Sequence, residues 1–119
     1  MPYYVTVESR GRGAYDITDE LRRLVKEKEL RDVLLLLSVV DPLTSLVTME
    51  YEPNLIADLG ELVDRLPGSS PHVKNAVFPK TLAVPVKNGD LALGSFQQVV
   101  LLDLSGRPGE KKVAVTVVK

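Results

Sequence analysis

The feature that most constrains the fold is a tight turn in the C-terminal half of the chain. Asn88-Gly89 separates two apolar stretches, residues 81–87 and 91–93. This dipeptide readily adopts the positive φ angles of a two-residue β-hairpin turn. We therefore predict a hairpin here, in the middle of a sheet. Because Pro85 cannot donate a backbone hydrogen bond, we expect the first of its strands to lie at an edge or a bulge.

A glycine-centred bend follows this hairpin. Gly94 interrupts the second apolar strand, and Gln97 stands where a core residue is expected. A glycine inside a strand marks a bulge or a close backbone approach. The pattern leaves two interpretations open, a purely structural bulge and a bulge that lines a ligand.

Length and composition limit the class of protein. At 119 residues the chain predicts a single domain over residues 1–119. The absence of cysteine excludes disulfides and thiolate metal sites, and we expect a cytoplasmic protein.

The apolar runs are far shorter than the roughly 20 residues of a membrane-spanning helix, and the first residues begin a strand pattern rather than a signal peptide. The mixed net charge of -1 predicts that nucleic acid is not a partner.

Apolar periodicity predicts most of the strands. Alternation with period two indicates strands at residues 3–8 and 45–51, and an unbroken apolar run at 33–40 indicates a central strand covered on both faces. Two more strands, at 99–104 and 112–118, are expected to form a C-terminal hairpin. Because these strands are neighbours in sequence, the order favours an α+β domain with a largely antiparallel sheet.

Capping signals predict two main helices. Thr18 is expected to cap the first, which ends near Lys28. The second begins around residues 52–54, with proline at an early helical position, and ends near Leu66. A brief helical or irregular segment is expected at 72–78.

Two glycine-containing segments carry further expectations. Gly60, inside the second helix, is expected to permit close packing against the sheet, because glycine otherwise weakens a helix. Residues 9–13, Ser-Arg-Gly-Arg-Gly, form a glycine-basic turn. This turn is typical of a hairpin, and its arginines also suit a phosphate.

Common enzyme signatures are absent from the sequence. It lacks GxGxxG, the P-loop lysine motif, HExxH and GxSxG. With no cysteine and one histidine, His72, it cannot form a Cys-His pair. What remains is a set of oxygen-bearing side chains that suits a divalent cation but that spacing alone does not bring together. The set consists of Asp41, Glu50, Glu52, Asp58 and Gln97, with His72 beside it.

The alternatives for individual residues are ordinary ones. Glu50 also fits a solvent-facing acid near the end of a strand. His72 also fits a surface or capping residue.

The motifs of the C-terminal half resemble those of the YjbQ family of small proteins, described as secondary thiamine-phosphate synthases. The segment LALGSFQ, residues 91–97, is similar to the family's LxLGTWQ, with Ser for Thr and Phe for Trp. The resemblance extends over nearly the whole chain, including residues 16–18 and 50–53. It implies an α+β fold of two packed, largely antiparallel sheets with two main helices. It also implies a homotrimer with a site near the subunit boundary.

The resemblance also implies roles for individual residues. Glu50, Asp58, His72, Gln97 and Gly94 match an acid, an acid, a histidine, a glutamine and a glycine of the family's motifs. On this basis we expect His72, Glu50 and Asp41 to be catalytic, and Gln97, Gly94, Asp58 and Arg107 to bind a small phosphorylated substrate, with Lys74 as an alternative anion contact. His72 is expected to face Glu50 or Asp41 across a pocket floored by Gly94.

Two departures from the family pattern bear on the chemistry. Residues 41–43, Asp-Pro-Leu, replace the family's His-Thr-Thr, and the connector before His72 is shorter and lacks a further histidine and acid. One imidazole with carboxylates favours magnesium, manganese or calcium and binds them weakly, whereas three imidazoles hold zinc. Two alternatives for the cofactor therefore stay open: the protein uses none, or it binds a divalent cation weakly.

Two classes of function follow from these features. In the first, the protein is a weak enzyme of the thiamine-phosphate synthase type, with His72 as its acid–base group, because histidine commonly serves in that role near neutral pH. In the second, it is a catalytically degenerate homotrimer that binds or supports another molecule. The missing histidines favour the second class, and the retained Glu50, His72, Gly94 and Gln97 favour the first.

Overall fold

The chain folds into two antiparallel sheets and three helices over residues 2–119, the part that the computed structural model describes. The elements are β1 Tyr3–Ser9, β2 Gly13–Asp16, α1 Thr18–Glu27, β3 Val33–Val39, β4 Thr44–Met49, α2 Pro53–Arg65, α3 Pro71–Ala76, β5 Thr81–Lys87, β6 Asp90–Leu91, β7 Gln98–Asp103 and β8 Gly109–Val118. The predicted α+β class with two packed antiparallel sheets is confirmed. Met1, which the predicted domain and the interpretation of the first residues include, lies outside the described residues.

The strands divide into a large sheet and a small sheet that share one core. The large sheet has the order β1-β8-β3-β5-β6, and the small sheet has the order β2-β7-β4. Leu35 and Leu37 of the large sheet and Leu46 and Leu101 of the small sheet are fully buried in the same cluster. Leu21 of α1 joins them. This shared core fixes the small sheet against one face of the large sheet.

The start of α1 is tied to the small sheet by two hydrogen bonds. The Asp16 carboxylate accepts from the Thr18 N–H at 2.9 Å, and the Thr18 hydroxyl accepts from the Val99 N–H at 2.8 Å. The prediction that Thr18 caps the helix is therefore wrong, since Thr18 is its first residue and its side chain serves β7. The carboxylate of Asp16 takes over the role of the cap.

The α2 helix begins as predicted and lies on the outer face of the small sheet. Both carboxylate oxygens of Glu52 accept backbone N–H groups of the first turn, from Asn54 and Leu55, each at 3.1 Å. Val63 of α2 and Leu102 of β7 are buried in this layer. β7 is therefore covered on both faces, by the large sheet on one side and by α2 on the other.

The Asn88-Gly89 turn is confirmed, but the segment after it differs from the prediction. Both residues have positive φ, 53° and 83°. β6 is the last strand of the large sheet and pairs with β5 at only two positions, so the hairpin lies at the edge of the sheet rather than in its middle. Residues 92–97 lie outside the strands. Gly94 is therefore not a bulge in a strand, and its carbonyl instead accepts the Gln97 N–H in a turn at 3.0 Å.

Two predicted hairpins are wrong because their strands belong to different sheets. β1 pairs with β8, whereas β2 pairs with β7, so residues 10–12 cross between the sheets. β7 and β8 are likewise separated, and residues 104–108 cross back. Strand β2 was not predicted, because four residues are too few to show a period.

The prediction that β3 is covered on both faces is also wrong within one chain. β3 is central by pairing, between β8 and β5. Its burial nevertheless alternates, with Leu35 and Leu37 fully buried and Leu36 36% exposed. Tyr4 of β1 and Val118 of β8 are exposed on strands of the same sheet. The large sheet thus presents an outer face with several apolar side chains.

A buried carboxylate joins the two sheets where β1 and β7 end. Asp103 is completely buried and accepts from the Ser9 hydroxyl at 2.6 Å and from the Ser105 hydroxyl and N–H at 2.6 and 2.8 Å. The Lys111 ammonium lies 3.9 Å from the same carboxylate. These partners come from β1, from the crossing after β7 and from β8, so one side chain holds both crossings.

We predict that Asp103→Ala destabilises the protein by about 3 kcal/mol, because it leaves buried donors and a largely buried ammonium without their acceptor. Chemical denaturation measures the change. Asp64→Ala is the matched control, since Asp64 makes an exposed ion pair with Arg12 at 2.6 Å and such pairs contribute about 0–1 kcal/mol. Equal losses from the two substitutions would contradict the role of Asp103.

The expectation that Gly60 permits close packing is not met. Among residues 2–119, no heavy atom outside its own helix backbone and chain neighbours would lie within 4 Å of a Cβ added at Gly60. Gly89 is different, because its φ of 83° is one that other residues adopt only with strain.

We expect Gly60→Ala to raise the free energy of unfolding by about 1 kcal/mol, the difference in helix propensity. Gly89→Ala should lower it by about 1 kcal/mol or more. Urea denaturation of both variants checks the pair. A loss of stability in Gly60→Ala would show that the helix does need glycine at this position.

Candidate functional site

The residues predicted for the site lie at opposite ends of the small sheet. Met49 of β4 pairs with Gln98 of β7 at one end, and Thr44 pairs with Asp103 at the other. We call these the Gln98 end and the Asp103 end. The six residues of β4 separate them by roughly 17 Å, at about 3.3 Å per residue.

Three of the predicted residues lie at the Gln98 end. Glu50 follows β4 directly and Gln97 precedes β7, so the strand register places them beside each other just beyond the Met49–Gln98 pair. The carbonyl of Gly94 accepts the Gln97 N–H. The structure therefore brings Glu50, Gln97 and Gly94 to one end of the sheet, with Glu50 and Gln97 half-buried.

Gln98 organises this end through both atoms of its amide group. Its Nε2 donates to the Asp16 carboxylate at 2.7 Å, and its Oε1 accepts the Tyr51 N–H at 2.8 Å. The Tyr51 hydroxyl in turn donates to the Ala14 carbonyl at 2.7 Å. One side chain of β7 therefore links the ends of β2 and β4, the two strands on either side of it.

Sequence reasoning selected Gln97 and missed Gln98. The available signal was that two glutamines are adjacent. Consecutive residues of a strand lie on opposite faces, so the two side chains were bound to have different surroundings. Asp16 was noted only as part of a resemblance. Its carboxylate is shared between the α1 cap and Gln98, which the sequence does not reveal.

A cleft of about 380 Å³ opens beside Gln98's partners. Its lining includes two tyrosines and three acids, Tyr15, Tyr51, Glu8, Asp16 and Glu20. Both phenol groups donate to backbone carbonyls, Tyr15 to Gly11 and Tyr51 to Ala14, each at 2.7 Å. The rings are thereby fixed, and an acidic, aromatic lining favours a cationic group over a phosphate.

Asp41 and His72 lie at the Asp103 end. The Asp41 carboxylate accepts the Lys112 N–H at 2.7 Å, so it already ties the loop before β4 to the large sheet. His72 is in the first turn of α3, and its backbone N–H donates to the Ser70 hydroxyl at 3.2 Å. The Asn75 side chain holds α3 against β4 by donating to the Thr44 carbonyl at 3.3 Å.

The imidazole of His72 is exposed. Within residues 2–119 it forms no hydrogen bond or ion pair with Glu50, Asp41 or any other side chain. Glu50 and the Gly94 turn are at the far end of the small sheet. The predicted pocket that joins them to His72 therefore does not form within one chain, and the catalytic roles stay predictions.

Basic residues also gather at the Asp103 end. A cleft of about 110 Å³ is lined by Arg12, Lys74 and Ser69 among others, and both cations contact Asp64 of α2, Arg12 at 2.6 Å and Lys74 through the carbonyl at 3.3 Å. Arg107 lies exposed in the crossing after β7. This end therefore suits an anion of phosphate size better than the Gln98 end does.

The last predictions to compare with the structure are the role of Asp58 and the binding of a metal ion. Asp58 is exposed on α2. In the described part of the chain, no three His, Cys, Asp or Glu side chains come together in a way that would hold a metal ion. The weakly bound cation therefore stays a prediction that a single chain does not account for. No helix of residues 2–119 is both long and apolar enough to cross a membrane.

Comparison with known protein families shows to which family the chain belongs. The family model described as UPF0047 protein YjbQ-like matches residues 3–119. The chain belongs to this YjbQ-like family. A UPF0047 protein of Archaeoglobus fulgidus is 32% identical over 113 residues, an alignment that covers 84% of the YjbQ-like chain and 86% of the relative. The resemblance seen in the sequence is thus confirmed.

Solved structures share the fold of this YjbQ-like chain. A protein from C. acetobutylicum has a TM-score of 0.89 at 20% identity, with 100% of both chains covered. A hypothetical protein from Aeropyrum pernix has a TM-score of 0.89 at 23% identity, with 99% of this chain and 98% of the other covered. A YbjQ-like protein of unknown function from Sulfolobus solfataricus has a TM-score of 0.87 at 22% identity, with 99% of this chain and 97% of the other covered. At these identities the likeness establishes the fold.

We predict that Gln98→Leu lowers the stability of this YjbQ-like chain by about 1–2 kcal/mol, because the Asp16 carboxylate and the Tyr51 N–H both lose a partner. Gln97→Leu is the matched control. In the described chain the Gln97 side chain forms no hydrogen bond, so its replacement should change stability by no more than about 0.5 kcal/mol. Thermal or urea unfolding compares them, and the reverse order would contradict the assignment.

Proposed function

We propose that this YjbQ-like protein acts on a small phosphorylated molecule at a site that two neighbouring copies complete together. The observation that carries the proposal is the separation of the predicted residues. Glu50, Gly94 and Gln97 lie at the Gln98 end, whereas His72 and Asp41 lie at the Asp103 end, roughly 17 Å away. A contact between the Gln98 end of one copy and the Asp103 end of the next would join them.

The reaction we propose is of the thiamine-phosphate synthase type, in which the pyrimidine unit of a pyrimidine diphosphate is transferred to a thiazole phosphate. The carbon–oxygen bond to a diphosphate breaks and the diphosphate leaves with the electron pair. The thiazole nitrogen supplies the pair for the new carbon–nitrogen bond. Arg107 and Lys74 contact the departing anion, and His72 donates a proton to its oxygen, with Glu50 of the neighbouring copy as the acceptor that orients the imidazole.

We propose a homotrimer as the assembly. Contacts between unlike ends of successive copies form a heterologous interface, which closes into a ring when the rotation from one copy to the next allows it. The exposed apolar side chains support further burial in an assembly, with Leu36, Tyr4 and Val118 on the large sheet. A ring of three is the assembly that the resemblance implies, and its mass would be three times 13.1 kDa.

A second candidate function is a homotrimeric binding or structural protein without catalysis. It is favoured by the exposed imidazole of His72, which has no acceptor among residues 2–119, and by the Asp41 carboxylate, which is used by the Lys112 N–H. Both observations fit a family member that kept the fold and lost the chemistry.

Mixing two inactive variants tests the shared site. We expect His72→Ala and Glu50→Gln each to abolish formation of thiamine phosphate from its phosphorylated precursors, with melting temperatures unchanged. When the two variants are unfolded, mixed in equal amounts and refolded, about a quarter of the sites in random rings draw both intact halves from different copies. Activity should return to about that fraction of the wild-type value.

The control is an equal mixture of each variant with the doubly substituted chain, which restores no site. No recovery in the mixture of single variants would contradict a site shared between copies. A full rate in the His72→Ala variant would contradict the role of His72.

Ligand binding separates the two candidate functions. Thiamine-related phosphates and divalent cations can be screened by thermal shift. A compound that binds either an enzyme or a binding protein should raise its free energy of unfolding by about 2.7 kcal/mol at 100 times the dissociation constant. Stabilisation without turnover would favour the binding protein. No shift with any compound would count against both binding and catalysis.

A further inference from the structure

Phe96 occupies an unfavourable conformation and an unfavourable environment at the same time. Its φ is 59°, in the left-handed region, where a bulky side chain crowds the backbone. Its ring is 78% exposed, so contacts within the chain do little to offset either cost. Such conformations persist when the surrounding structure holds them in place, and they cluster at active and binding sites.

The turn around Phe96 is held by its surroundings. The Gln97 N–H donates to the Gly94 carbonyl at 3.0 Å, and the Ala92 N–H donates to the Pro85 carbonyl at 2.8 Å. The segment therefore has defined hydrogen bonds on both sides of the ring. Phe96 is exposed at the Gln98 end, directly before Gln97 in the sequence.

An apolar stripe is exposed at the Asp103 end. Val73 and Val77 are four residues apart on α3 and its C-cap, and positions i and i+4 share one face of a helix. Their exposed fractions are 60% and 63%, although valine is among the residues most often buried. The stripe begins directly after His72.

These two apolar groups cannot meet within one chain, because the length of the small sheet separates them. They can meet only when two copies associate through unlike ends. In such a contact Gln97 and Glu50 of one copy would approach His72 of the other, because Gln97 follows Phe96 and His72 precedes Val73. The same contact would cover the apolar groups and complete the site.

We propose that Phe96 of one copy packs on the Val73–Val77 stripe of its neighbour. This inference rests on the shared site proposed above, and adds to it the contact that aligns the two halves. Phe96 is a positioning residue: its ring is buried against the neighbour's helix, and it sets where Glu50 and Gln97 stand relative to His72.

Disulfide trapping tests the contact directly, because the chain has no cysteine of its own. A disulfide needs Cα atoms within about 7 Å. Phe96→Cys combined with Val73→Cys in one chain should therefore give covalent trimers on mild oxidation. Each single variant can reach only a covalent dimer, since a chain with one thiol forms one bond.

The control for random collisions is Tyr4→Cys with Val73→Cys, which pairs an exposed residue of the large sheet with the same position on α3. We expect no covalent trimer from it. If Phe96→Cys with Val73→Cys gives no more trimer than this control, the proposed contact is wrong.

A second pair of variants measures what the ring contributes. Asparagine tolerates the left-handed region, so Phe96→Asn removes the ring and relieves the strain together. We expect the concentration at which trimers dissociate to rise at least tenfold, while the melting temperature of the separated chains is unchanged or higher. Phe96→Trp, which keeps an aromatic ring, should assemble like the wild type. Equal assembly of Phe96→Asn and the wild type would overturn the inference.

The outcomes distinguish this inference from the function on which it rests. If the wild-type protein sediments as single chains at micromolar concentration, both the shared site and the Phe96 contact fail. If the trimer forms and the mixed variants recover activity, but the cysteines at positions 96 and 73 do not join, only the Phe96 contact fails.

Discussion

The buried carboxylate of Asp103 is the constraint on which the relation between the two sheets depends. It sits where β1 and β7 end, and it accepts from the hydroxyl of Ser9, the last residue of β1 before one crossing, and from Ser105 on the other crossing. A fully buried carboxylate is stable only when its oxygens accept hydrogen bonds and its negative charge has a partner. The Lys111 ammonium, 3.9 Å from the Asp103 carboxylate, provides the opposite charge. Because these partners come from separate segments, satisfying one side chain positions both crossings, and with them the Asp103 end of the small sheet.

The helices and most strands could be predicted from the sequence, whereas the partition of strands between sheets could not. Helix starts and apolar periods are local properties, and α2 begins at Pro53, within the predicted range of residues 52–54. Strand partners depend on distant residues. Two tight glycine-containing turns therefore looked like hairpins, although each carries the chain from one sheet to the other. The burial of Asp103 depends on Ser9, 94 positions away, and no local pattern reveals it.

The same distinction applies to the candidate site. Residue types selected Glu50, His72 and Gln97, and the register shows which of them are neighbours. What the sequence could not provide was the distance between the two ends of the small sheet, because this follows from the strand pairing. Gln98 was missed for a related reason, since its amide is important only because Asp16 and Tyr51 arrive from two other strands. A local motif identified the segment, but tertiary structure decides which of its side chains is engaged.

The position of β8 has a consequence for how the protein folds. It is the last strand of this sequence, yet it lies second in the large sheet, between β1 and β3. Tyr3 pairs with Val115, so the first strand has no partner until the last one has been synthesised. Contacts between such distant segments slow folding, because a long loop must close before they form. During synthesis, the edges of β1 and β3 that pair with β8 therefore both stay unpaired until the ten residues of β8 appear, and an unpaired strand edge of this kind can pair with another chain.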